Sequence, residues 1–222
     1  MIIAIDGPSG AGKSTLAKRL AKELEFVYLD TGAMYRALAL KVLRQGIDLA
    51  DDARLVELIG ATGIDLNERR GNLEVLLDGD DVAAEIRTPE VSQMASRVST
   101  LRLVRARMLE LQREMGRRGN VVAEGRDIGT VIFPEAEVKI FLDASVSGRA
   151  RRRYDELIAS GRAVDLDETL REIEERDKRD SERDVAPLRK AEDALLIDSS
   201  RVTADEVAAI VLAHIQNKLR EN

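Results

Sequence analysis

Residues Gly7-Pro8-Ser9-Gly10-Ala11-Gly12-Lys13-Ser14-Thr15 have the types and spacing of a phosphate cradle. Four residues separate Gly7 from Gly12, with Lys13 and Ser14 directly behind. Glycines permit positive φ and let backbone N–H groups approach phosphate oxygens without side-chain obstruction. Lys13 adds a point charge suited to β- and γ-phosphates, and the Ser14 hydroxyl is a hard oxygen ligand for Mg2+. The apolar run Ile2-Ile3-Ala4-Ile5 precedes the loop, and Leu16, Leu20, Ala21 and Leu24 mark a helical face after it. That context, a strand feeding a helix through the loop, predicts a nucleoside triphosphate site.

Two further segments place polar chemistry at the end of an apolar run. Asp30-Thr31-Gly32-Ala33-Met34-Tyr35-Arg36 joins a predicted strand to a helix. The N–H groups of that helix start and Arg36 suit an anion, or else Thr31 is a plain N-cap and Arg36 is solvated. Glu124-Gly125-Arg126-Asp127 follows Val121-Val122-Ala123 directly. Charged groups abutting a buried strand end point to use in a site. Arg105 sits on the inward stripe Val91, Met94, Val98, Leu101, Met108, Leu111, Met115. A guanidinium there needs a partner or a polar cavity, and an internal ion pair would serve as well. Arg149, Arg151, Arg152 and Arg153 cluster in one charged helical segment, and Arg176 to Arg183 close the next. Such a run is ordinarily a solvated face. Near a triphosphate loop it also suits a mobile cover that brings cations to the transferring group.

Alternating strands and helices position these groups. Strands are expected at Ile2–Asp6, Phe26–Leu29, Val121–Ala123, Val138–Leu142 and Ala194–Ile197. Helices are expected near Lys13–Leu24, Met34–Gln45, Asp52–Ala61, Pro89–Met115, Ser147–Ser160, Glu168–Asp180 and Ala204–Leu219. The pattern predicts an α/β fold, a parallel central sheet wrapped by helices. Gly63–Thr88, with turn signals at Arg70-Gly71-Asn72 and Asp78-Gly79, predicts a small antiparallel insert. The charged segment predicts a helical hairpin hinged at Ser160-Gly161, mobile because it has little to bury. Thr88 before Pro89 predicts a helix start, as does the capping box from Thr203 to Glu206.

Composition narrows the classes. The chain has 222 residues, enough for one good core with small appended lobes. Its net charge of −6 argues against binding that relies on releasing counterions from a nucleic acid. The basic residues are 27 Arg and 8 Lys, either a solvated substitution of one for the other or a set of phosphate clamps. Without cysteine there is no disulfide, thiolate zinc site or cysteine nucleophile. The one histidine, His214, flanks the stripe of the last helix, which leaves a structural role for it. The first strand begins at residue 2, so no leader is expected, and no apolar run approaches a membrane span. A reducing cytoplasm fits.

The quoted loop, together with L-D-T-G-A-M-Y-R, I-R-T-P-E-V, E-G-R-D-I-G-T-V-I-F-P, V-K-I-F-L-D-A and R-D-K-R-D-S-E-R, resembles the bacterial cytidylate kinases across essentially the whole chain. The resemblance implies a P-loop three-layer α/β/α core over 1–62, 92–148 and 185–222. It further implies a monophosphate-binding insert over 63–91 and a helical lid over 149–184. It implies ATP and CMP or dCMP as substrates with Mg2+, no nucleic-acid or membrane partner, and a cytoplasmic monomer. Residues Gly7 to Thr15 would hold ATP, with Ser14 on the metal. Arg36 and Arg126 would grip the CMP phosphate, with Tyr35 and Thr31 alongside. Ser96, Arg105 and Asp127 would read cytosine, and Arg176 and Asp180 would reach the ribose. Lys13, Arg126, Arg153 and Arg183 would act on the transferring group. Many relatives carry Asp where this chain has Glu124, which leaves a metal or water role there open.

The chemistry of the base is consistent with those assignments. Cytosine offers an amino donor beside ring acceptors; a carboxylate such as Asp127 accepts from the first and Arg105 donates to the second. Uracil reverses the pattern and would leave a carboxylate facing a carbonyl. Catalysis would be positioning and charge stabilisation with no general base. Two other readings stay open: a P-loop kinase of UMP or a coenzyme A precursor, and a nucleotide switch. The switch lacks an Asn-Lys-x-Asp guanine-reading motif.

Overall fold

The computed structural model describes residues 1–69 and 72–221. The turn expected at Arg70-Gly71-Asn72 therefore falls largely outside the described residues. Along the chain run β1 (Ile2–Asp6), α1 (Lys13–Leu24), β2 (Val27–Asp30), α2 (Thr31–Gln45) and α3 (Asp52–Gly60). Next come β3 (Ile64–Arg69), β4 (Asn72–Leu77), β5 (Asp80–Asp81), α4 (Pro89–Val98) and α5 (Arg102–Gly116). The chain closes with β6 (Val121–Gly125), β7 (Val138–Asp143), α6 (Val146–Ala159), α7 (Leu166–Glu182), β8 (Leu195–Asp198) and α8 (Ala204–Glu221). The expected architecture is present: a five-stranded sheet ordered β2-β6-β1-β7-β8 flanked by helices, a three-stranded sheet β3-β4-β5, and a helical hairpin.

The chain divides into two compact units. One comprises Met1–Tyr28 with Gly119–Asn222, the other Leu29–Arg118. In the first, β1 is central, parallel to β6 and β7, with Ile2 opposite Val121 and Ile3 opposite Val138. Successive side chains of a strand point to opposite faces, so a strand covered on both faces reads as a continuous apolar run. Ile3, Ala4 and Ile5 are wholly buried. Helix α1 packs on β6, and α8 packs on α1 and β7. The α8 capping box forms: Thr203 Oγ1 accepts from Glu206 N–H at 3.2 Å and Glu206 Oε2 accepts from Thr203 N–H at 2.7 Å. Helices α6 and α7 pair into the charged hairpin, turning at Gly161 (φ 78°), with Leu157, Thr169 and Ile173 buried.

In the second unit, α2 packs on α4 and on the small antiparallel sheet. Asp78 and Gly79 (φ 53° and 97°) make a two-residue turn that sets Leu77 opposite Asp80. Positive φ at both positions matches the strand twist of a hairpin. Helix α2 starts at Thr31, three residues before the expected Met34, because the Asp30 carboxylate accepts from Ala33 N–H at 2.8 Å. Asp30, and not Thr31, is the cap.

The single helix expected over Pro89–Met115 is two. It starts as expected, with Thr88 Oγ1 accepting from Val91 N–H at 3.2 Å, and then breaks at Ser99–Leu101. Ser99 Oγ donates to Ser96 O at 2.9 Å and Thr100 Oγ1 to Arg97 O at 2.8 Å. Hydroxyls bonding back to the preceding turn compete with the helical ladder, and Leu101 becomes extended (φ −77°, ψ 125°). The apolar stripe crosses this break without interruption, so its period concealed it.

Candidate active site

The loop between β1 and α1 is shaped by its surroundings as well as by its glycines. A Cβ on Gly7, at φ 150°, would lie 2.0 Å from Leu142 O, so no other residue fits there. Four successive carbonyls then find donors. Arg149 Nη1 donates to Ser9 O at 3.1 Å, Arg152 Nη1 to Gly10 O at 3.5 Å and Ser199 Oγ to Ala11 O at 2.9 Å. Leu16 N–H donates to Gly12 O at 3.1 Å as α1 begins. In a trans peptide the C=O and the next N–H point opposite ways. Each of the N–H groups of Gly10, Ala11, Gly12 and Lys13 therefore points away from the donor on the carbonyl before it. Ser14 and Thr15 are exposed at the helix start.

Lys13 is buried, and its Nζ donates to Pro8 O at 2.7 Å. Burial, and after it the Arg126 guanidinium, push its pKa down to about 7, while Glu124 pulls the other way. Glu124 is itself buried and accepts a short hydrogen bond from the Tyr28 hydroxyl.

At the foot of the loop, the Asp6 carboxylate accepts from Ile128 N–H at 2.7 Å and Gly129 N–H at 2.8 Å. These amides open a π turn over Ile128–Ile132, directly after Arg126 and Asp127. Burial raises the Asp6 pKa to about 6 against the pull of the two amides, with Asp127 adding to the rise.

Two ion pairs connect this region to the end of the hairpin, and a third joins the hairpin's own two helices. Arg126 Nε donates to Asp180 Oδ2 at 2.8 Å, Arg183 Nη2 to Asp127 Oδ1 at 3.1 Å and Arg149 Nη2 to Asp177 Oδ2 at 2.6 Å. Burial opposes the charge on Arg126 and on Asp180, yet Arg126 is held above its ordinary range and Asp180 below its own. For Asp180 the largest favourable influence is Arg126, then Arg176. The structure thus brings Lys13, Arg126, Asp127, Arg176, Asp180 and Arg183 into one electrostatic neighbourhood. Arg153 pairs at 3.3 Å with Glu156, one turn along its own helix.

The second unit gathers the remaining candidates in two places. Arg36 Nη2 lies 3.0 Å from Asp30 Oδ2, beside buried Thr31. A Cβ at position 32 would crowd Arg36 Nη1 at 3.0 Å, so Gly32 leaves room for that pair. Buried Arg105 donates from Nη1 to Ser99 O at 3.3 Å, and its guanidinium lies 5.9 Å from the Tyr35 ring centroid. Ser96 is buried one turn before Ser99. The inward guanidinium has a carbonyl and an aromatic face as partners.

Sequence reasoning missed Asp6 and Ser199, and placed Arg149 only in a generic cluster. Asp6 carried one signal, a carboxylate ending a strand that is otherwise apolar. Ser199 carried none. Among the described residues no group of three or more His, Cys, Asp or Glu could hold a metal, and no helix is long and apolar enough to cross a membrane.

A family model described as cytidylate kinase matches residues 3–217. A protein named cytidylate kinase from Pelotomaculum thermopropionicum is 52% identical over 220 residues, 99% of this chain and 97% of that one. One of the same name from Syntrophotalea carbinolica is 55% identical over 207 residues, 93% and 88% of the two chains. The cytidylate kinase of Bacillus subtilis is 48% identical over 218 residues, 98% and 97%. Among solved structures, an uncharacterized protein from Eubacterium ventriosum superposes with a TM-score of 0.53 at 15% identity. It covers 97% of this chain and 98% of its own, a likeness of fold alone.

Proposed function

The chain belongs to the cytidylate kinase family, and on that premise we propose that it transfers the γ-phosphoryl group of ATP to CMP and dCMP. The observation that carries the donor half is the glycine loop between β1 and α1 whose carbonyls at 9 to 12 are all engaged, which fixes the peptide plane of each of the next four amides. Oriented amides stabilise phosphate charge without reorganising during the reaction. Residues Gly7 to Thr15 hold ATP, and Lys13 neutralises the β- and γ-phosphates. Mg2+ suits this site: it takes few protein oxygens and fills its shell with phosphate and water, so one exposed hydroxyl, Ser14, is a sufficient protein ligand.

For the acceptor, roles are proposed residue by residue. Arg36 and Arg126 hold the monophosphate, with Thr31 and Tyr35 beside it. Ser96, Arg105 and Asp127 read the base, and Arg176 and Asp180 the sugar. Arg183 and Arg153 serve the transferring group, which for Arg153 means exchanging Glu156 for phosphate. Residues 63–91 form the monophosphate-binding insert and 149–184 the lid, on a core of 1–62, 92–148 and 185–222. Glu124 is read as a buried counter-charge near Lys13, occupied by Tyr28 and not reserved for metal. The chain is read as a cytoplasmic monomer in pyrimidine nucleotide metabolism, without nucleic-acid or membrane partners. Its lack of cysteine and net charge of −6 support that reading.

The test is ADP release from ATP across CMP, dCMP, UMP, AMP and dTMP, with and without Mg2+. Turnover of CMP and dCMP above the others is expected; strong turnover of AMP or dTMP with none of CMP ends the proposal.

A further inference from the structure

We infer that Arg149 is a positioning residue that sets the shape of the phosphate loop and couples that shape to helix α7. Its side chain is 3% exposed and all three guanidinium nitrogens are committed, each in a different direction. Nε donates to Ala144 O at 2.9 Å, fixing the arm to the turn after β7. Nη1 donates to Ser9 O at 3.1 Å in the loop, and Nη2 to Asp177 Oδ2 at 2.6 Å on α7. The loop also rests on Arg149: a Cβ on Gly10, at φ 79°, would meet Arg149 Cβ at 3.1 Å and its carbonyl oxygen at 3.4 Å. Moving the Ser9 carbonyl would rotate the same peptide plane that aims the Gly10 N–H.

Arg152, three residues further on, supports the neighbouring peptide less closely. Its Nη1 is 3.5 Å from Gly10 O and 3.2 Å from Ser199 Oγ, and Nη2 is 2.6 Å from Ser199 O. The closer contact with the loop belongs to Arg149, the more buried of the two side chains. Asp177 lies between Arg176 and Lys178 on the helix that also carries Asp180, the partner of Arg126. A strut from Ser9 to Asp177 therefore links the orientation of one loop amide to the position of that helix. Lysine cannot replace it, because one ammonium does not serve three acceptors arranged around a planar fork.

This inference rests on the loop being the ATP site, so the test begins with binding of a fluorescent ADP to the unaltered chain. No binding there refutes the functional reading itself. Given binding, Arg149→Lys is expected to weaken ADP by about tenfold while the KM for CMP changes by less than about twofold. Asp177→Asn, which leaves the Ser9 contact in place, is expected to weaken ADP by about threefold. In the Arg149→Lys background the same change should cost almost nothing, since the link is already cut. Equal losses toward ADP and CMP, or ADP affinity within about twofold of the unaltered chain for Arg149→Lys, overturns the inference. So do independent, multiplying effects of the two changes. If Arg149→Lys fails to fold, Asp177→Asn alone decides: unchanged ADP affinity overturns the strut.

Discussion

The phosphate loop and the charged hairpin offer an anion opposite kinds of partner. The loop offers uncharged backbone amides and one ammonium, that of Lys13, and is set by Gly7, where a Cβ would collide with Leu142 O, and by donors on its carbonyls. The hairpin region uses guanidinium groups, each neutralised by a carboxylate: Arg126 by Asp180, Arg183 by Asp127, Arg149 by Asp177. A preset dipole array acts without rearrangement. A paired guanidinium meets a phosphate in competition with the carboxylate already beside it, so binding there is set against an existing ion pair. The loop should therefore act without rearrangement, whereas changes at the ion pairs should also alter selectivity and closure.

The sharpest way to break this comparison is Lys13→Ala. It should lower turnover by about a thousandfold with the circular dichroism spectrum unchanged, because the loop's one point charge is gone. Retained turnover would mean that the hairpin cations suffice.

Next in size is the pH response of Asp6, which anchors the foot of the loop. Its pKa is raised to about 6 in the folded chain from 3.8. Between those values the unfolded chain releases the proton first, so the folded state binds more protons and stability from this group falls as pH rises. The difference in unfolding free energy between the unaltered chain and Asp6→Asn should drop by about 3 kcal/mol from pH 3 to pH 7. A difference that stays level over that window rejects the buried, proton-holding carboxylate.

On the hairpin side, Asp127→Ala should erode preference for CMP over UMP by about a hundredfold with a much smaller change in ATP affinity. Unchanged selectivity removes Asp127 from base reading.

The smallest effect sharpens the idea of competition. Asp180→Asn leaves Arg126 without its full counter-charge, so inorganic phosphate should stabilise this variant by about 1 kcal/mol more than the unaltered chain in urea melts. Equal stabilisation of both would show that Asp180 and phosphate do not compete for Arg126.

The local features were legible because they are written over short spans. Gly7 to Thr15 needed only glycine spacing and a flanking strand and helix, and β1 and α1 appear at the expected residues. The cap at Thr88, the box at Thr203 and the hairpin turn at Asp78-Gly79 are likewise matters of a few residues. The break at Ser99 was also local but escaped, since hydrophobic period is blind to two hydroxyls between stripe positions.

What a reader of residues alone obtains is the kind of chemistry: a nucleotide cradle, an α/β frame, an excess of guanidinium groups and a close likeness to one kinase family. Which carboxylate neutralises which arginine was settled only by folding. Arg126 finds Asp180 across 54 positions, Ser9 finds Arg149 across 140 and Asp6 finds Ile128 across 122. Side-chain type announces charge and reach. The choice among many equivalent partners depends on burial and distance, which exist only once the chain has packed.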